Sequence, residues 1–95
     1  MGPMVNVKRV MLDVLKPHQP NGLEFATAIA GRAAGASVKL TVAAVDEKTE
    51  SVVIVIEGES LDFEAIRGVI SNLGASIHSI DEVEVASTAA RAARR

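Results

Sequence analysis

The chain contains no cysteine, tryptophan or tyrosine, and its only aromatic residues are Phe25 and Phe63. Without thiols, disulfide frameworks, thiolate metal sites and cysteine nucleophiles are excluded. Without aromatic rings on its predicted strands, the sheet has nothing on which to stack unpaired bases, which discounts a single-stranded RNA platform. Positive charge is also scarce. The formal net charge is −2, and Arg91, Arg94 and Arg95 all lie in the tail, so removing those three leaves the body near −5. An acidic body with no basic stripe is a poor match for nucleic acid. No apolar run approaches the roughly 20 residues of a membrane span, and no secretory leader is visible. The expected setting is cytoplasmic, with neither nucleic acid nor membrane as partner.

What remains is aliphatic. Of 95 residues, 48% are apolar, most of them Val, Ile, Leu and Ala. That length makes one domain, here residues 5–85, and a domain so small buries only about 60–65% of the surface its unfolded chain exposes. This much aliphatic surface predicts that some of it packs against another subunit. Residues 1–4 (MGPM) read as a remnant with no function. Residues 86–95 read as a basic Ala/Arg tail.

Residues 5–15 predict a first strand, with Val10, Leu12 and Val14 on one face and Arg9, Met11, Asp13 and Leu15 on the other. Pro17 and Pro20 end it. Asn21 then suits a helix N-cap, with Glu24 three residues on as in a capping box. Phe25, Ala26, Ile29, Ala30 and Ala33 follow as a helical stripe, and Gly35 supplies the stop. "SVKLTVAAV" and "SVVIVIE" flank the polar "DEKTE" and predict a hairpin. Ser60 or Asp62 caps a second helix, whose stripe is Phe63, Ile66, Val69, Ile70 and Leu73. Gly74 ends that helix. The last strand, residues 76–85, alternates poorly, because His78, Ser79, Asp81, Glu82 and Glu84 interrupt its apolar residues.

The order β-α-β-β-α-β predicts an α+β, ferredoxin-like fold: four antiparallel strands in the order 4-1-3-2, with two helices on one face. The other face is left open, with Met11, Leu15, Ala43, Val45, Val53 and Val55 among Arg9, Asp13, Lys39 and Thr41. Self-association is therefore expected, with Met11, Leu15, Val53 and Val55 as interface residues.

The predicted topology sets the end of the first strand beside the start of the last. This gathers Asp13, His18, His78, Asp81 and Glu82 as candidate ligands of a divalent metal ion. An oxygen-rich set favours calcium or magnesium, and its imidazoles would also suit zinc. The competing reading pairs Asp13 with Arg9 or Lys16 and hydrogen-bonds the histidines to loop backbone. Two other acidic groups, Asp46, Glu47 and Glu50 in the hairpin turn and Glu57, Glu59, Asp62 and Glu64 before the second helix, read as a solvated turn and as helix capping. No nucleophile elbow, phosphate-cradling glycine loop or dinucleotide fingerprint accompanies these residues, so an enzyme is not expected and no catalytic residue is assigned.

Three separated segments resemble the archaeal family known as domain of unknown function 211. They are Met11-Leu12-Asp13-Val14-Leu15-Lys16-Pro17-His18, "EGESLDFE" at residues 57–64, and "IHSIDEV" at residues 77–83. The resemblance runs from Val7 to Val85 and departs at the Ala/Gly-rich first helix and the basic tail. It implies a ferredoxin-like, oligomeric protein of archaeal cytoplasm, and it implies no activity. The expected function is a homo-oligomeric binding or regulatory module. Alternatives are an amino-acid-sensing domain like the ACT modules, with a small-molecule ligand held near "HQPNG", and a purely structural assembly subunit.

Overall fold

The computed structural model describes residues 5–87; residues 1–4, expected as a remnant, lie outside the described residues, as does the expected tail of residues 86–95 apart from Ala86 and Ser87, which continue the last strand. Strand β1 (Val5–Pro17) occupies the sheet's interior, because its central alternation offers aliphatic side chains to the helices. Val10, Leu12 and Val14 are buried, while Arg9, Met11, Asp13 and Leu15 face the opposite side. Antiparallel neighbours flank it: β3 (Thr49–Glu57) on one side and β4 (Ser76–Ser87) on the other. Strand β2 (Ser37–Val45) pairs with β3, giving the order β2-β3-β1-β4 of the ferredoxin-like α+β fold.

Two helices cover one face. Helix α1 (Gly22–Arg32) opens with a complete capping box, in which the Asn21 side chain accepts from the Glu24 amide and the Glu24 side chain accepts from the Asn21 amide. It buries Phe25 and Ile29. Helix α2 (Phe63–Asn72) is capped by Asp62 rather than Ser60, and buries Ile66, Val69 and Ile70. These side chains meet Val52, Ile54 and Ile56 of β3 in a single core. Both helices exit through glycines at positive φ, Gly35 at 80° and Gly74 at 85°, a conformation that would strain any other residue. Among the described residues no helix is long and apolar enough to cross a membrane.

The awkward spacing of "IHSIDEV" has a structural cause. Ile77 pairs with Val14, Ile80 with Leu12, Val83 with Val10 and Val85 with Val7. All four lie on the helix side, although they are three, three and two residues apart, and Val7, beyond the bulge at Lys8, packs against the core with the other three partners. Three irregularities absorb the difference: His78 is unmatched on β4 beyond the pair Asp13–Ser79, Asp81 is unmatched on β4 beyond the pair Met11–Glu82, and Lys8 is unmatched on β1 between the pairs Val7–Val85 and Arg9–Glu84. A further bulge, at Ala43 of β2, corrects one expectation for the open face. Val42 pairs with Val52 but Ala44 pairs with Ser51, so Val45 falls opposite Glu50 on the helix side. The inserted residue flips every position after it.

Candidate functional site

The inward alternation of β1 does not stop at Val14. It places Lys16 on the helix side too, and the Lys16 side chain is 0% exposed. A buried ammonium needs a counter-charge and hydrogen-bond acceptors. The register supplies the counter-charge by setting Glu50 directly opposite. Lys16 Nζ lies 3.1 Å from Glu50 Oε1 and donates to the Pro17 carbonyl at 2.8 Å. The ring of Phe25, from α1, lies 5.8 Å away.

His18 completes the cluster. Its Nδ1 donates to Glu50 Oε2 at 3.1 Å, and its Nε2 donates to the Glu47 carbonyl at 3.0 Å. Both partners are pure acceptors, so both ring nitrogens must carry protons, and the geometry selects the imidazolium. The hydrogen bond to Glu50 raises the His18 pKa above its ordinary 6.5, with the Glu47 carbonyl adding to the effect. In return, His18 first and Lys16 second hold the Glu50 carboxyl below its ordinary 4.5. Lys16, Glu50 and His18 thus tie the exit of β1 to the start of β3 and to the turn that precedes it. The chemistry is that of a charged clamp with its donors engaged, not that of a free acid or base.

The five candidate metal ligands divide. Asp13 and His78 line one cavity of about 320 Å³ on the open face, with Leu15 and Ser51 at its sides. The bulge at His78 helps bring the imidazole to this position, across from Asp13. Asp81, the other bulged residue, accepts from Ser79 Oγ at 2.8 Å. Glu82 pairs with Arg9, which also holds Glu57. His18 sits apart from them, on the β3 side of β1, where Glu50 and the Glu47 carbonyl draw it. Within one chain no three His, Asp or Glu side chains converge to hold a metal ion among the described residues.

The competing arrangement is realised only in part. His18 does bond loop backbone, but Arg9 and Lys16 spend their charge on glutamates rather than on Asp13. The acids before α2 are individually partnered: Glu57 with Arg9, Glu59 with Lys8, Asp62 with the α2 backbone and Glu64 with Arg67. Glu50 is the residue that composition misplaces. It reads as part of a solvated turn, yet it belongs to β3 and neutralises a buried lysine. The available signal was Lys16 itself, two residues beyond Val14 on the inward face.

Two outcomes follow from the clamp. Replacing Lys16 with Met keeps volume and removes the buried charge, while Glu50 keeps His18 as its partner, so Lys16→Met should be the milder change. Glu50→Gln strands the buried ammonium, and its loss in urea or thermal denaturation should exceed that of Lys16→Met; the reverse ranking would show that Glu50 is not what compensates Lys16. The pH dependence has a definite sign. Because the folded His18 pKa is raised, its stabilisation is fully present below 6.5 and fades as pH rises through the higher folded value. Because the Glu50 pKa is lowered, its contribution is present above 4.5 and fades as pH falls through the lower folded value. Melting curves of the parent and His18→Gln should therefore differ most between 4.5 and 6.5 and converge on the alkaline side.

With this geometry in place, comparison with known proteins gives two agreeing results. The DUF211 family model, described as uncharacterized ArCR, matches residues 8–91. An uncharacterized protein of Methanocaldococcus jannaschii is 42% identical over 80 residues, spanning 84% of this chain and 82% of that protein. The family match runs from Lys8 in β1 through the end of β4, so the clamp and the open-face cavity both fall inside it. The chain belongs to the DUF211 family.

Proposed function

We propose that the protein is a self-associating binding module. The observation carrying this reading is an aliphatic stripe that the helices leave uncovered along β4. Ile80, Val83 and Val85 are 48%, 59% and 51% exposed, and Val5 of the neighbouring strand is also exposed. Three β-branched side chains in line on one strand form a contiguous apolar patch, which on a small monomer invites association. The open face adds less. Met11, Val53 and Val55 are half-buried within the sheet itself, and of the four expected interface residues Leu15 is the exposed one.

Self-association is read by sedimentation or light scattering. The parent should be multimeric, and Val83→Asp should shift it toward monomer. Losing one buried valine and adding a carboxylate costs roughly 2 kcal/mol or more per interface, at least about a tenfold weakening. A parent that sediments as a monomer at all concentrations sinks the reading.

A second reading rests on the cavity shared by Asp13 and His78. One carboxylate and one imidazole form the start of a mixed N/O site, which suits zinc or nickel better than calcium or magnesium. A second copy or solvent would supply the remaining ligands. Added zinc should raise the melting temperature of the parent, chelator should reverse the gain, and Asp13→Asn should abolish it. No shift with metal, combined with a shift for one amino acid in a panel, would instead favour an effector-sensing domain.

A further inference from the structure

The geometry points to a specific partner and docking mode, resting on the self-association reading: β4 of one copy adds to β2 of a second copy, so that one antiparallel sheet runs on from subunit to subunit. In the order β2-β3-β1-β4 every neighbour is antiparallel, so the two edge strands run in opposite directions. A second copy set beside the first, with its helices on the same side, therefore presents β2 antiparallel to β4. No strand has to reverse.

Each edge has one stretch suited to pairing. Bulges obstruct edge pairing, and β4 carries its two inserted residues at His78 and Asp81, leaving none in residues 82–87, where the one irregularity is taken up by Lys8 on β1, away from the free edge. Strand β2 carries its bulge at Ala43, leaving residues 37–42 regular. Laid against each other, these stretches match on both faces. On the open side β4 presents Glu84, and β2 presents Lys39, neither of which has an ion-pair partner among the described residues. A register that sets Glu84 opposite Lys39 also sets Val83 opposite Leu40 and Val85 opposite Val38, all on the helix side. The exposed stripe of β4 would then continue the core of the next subunit.

Charge also selects against the symmetric alternative. If β4 paired with β4 of a second copy, setting Val83 opposite Val83 would place Glu82 opposite Glu84. Setting Val83 opposite Val85 would place Glu84 opposite Glu84. Like charges directly opposite are destabilising. The head-to-tail contact avoids this, and such contacts close into rings when the rotation per subunit allows.

The absence of native cysteine makes the test clean. Lys39→Cys and Glu84→Cys chains, differently tagged and co-expressed, are treated with a short bis-maleimide. The mixed pair should cross-link as one Lys39→Cys chain to one Glu84→Cys chain, while each variant expressed alone should not. Charge reversal gives an independent readout. Lys39→Glu and Glu84→Lys should each weaken association, on the order of 3- to 10-fold per interface, and the double variant should recover it. Cross-linking of Glu84→Cys to itself overturns the mode in favour of the symmetric edge. A multimeric parent with no cross-link and no charge rescue overturns the edge pairing and leaves self-association standing. A monomeric parent overturns both.

Discussion

The structure is organised by the inward face of β1. This strand is paired on both sides and covered on one, so each second residue must be apolar or bring its own compensation. Val10, Leu12 and Val14 meet the requirement with aliphatic carbon. Lys16 meets it with a counter-ion, which the antiparallel register places opposite at Glu50. A buried ion pair of this kind is weak evidence for net stability, since desolvation offsets much of its attraction. What it supplies is consequence: a one-residue slip of β3 against β1 would move Glu50 to the other face and leave the ammonium alone. The hydrogen bonds of His18 then extend the same condition to the β2–β3 turn.

Most of the fold was legible in the sequence, because its signals are local and agree with one another. Asn21 and Glu24 announced the first helix, Gly35 and Gly74 the two helix stops, and alternation gave the faces of β1 and β3. The places where reading failed share one cause. A bulge adds a residue without changing composition, so the helix-side placement of Val45 and the three-residue spacing of Ile77, Ile80 and Val83 are invisible to a strict period of two. The partnership of Lys16 and Glu50 was hidden for a related reason. It depends on cross-strand register, and register is a property of two segments read together.

The same limit explains why the candidate ligands were grouped too broadly. Topology correctly set the end of β1 beside the start of β4, with Leu15 opposite Ser76. But β1 has two neighbours, and proximity to one does not settle where a side chain turns. His18 had two acceptors waiting on the β3 side, whereas Asp13 faces the cavity beside His78. Glu82 was likewise claimed by Arg9, the nearest cation on the open face.

The bulges of β4 do two jobs that a regular strand could not do together. By inserting His78 and Asp81 they let Ile77, Ile80 and Val83 all face the helices, and they place an imidazole beside Asp13. By distorting the first half of an edge strand they also make that half a poor template for pairing with another chain. The second half has no inserted residue of its own, the extra residue there being Lys8 of β1, and in that half the helices give the least cover and the valines are most exposed. The polar interruptions that make "IHSIDEV" look like a faulty strand thus divide β4 into a segment that shapes a cavity and a segment whose valines stay exposed. The division follows from spacing alone: three, three, then two.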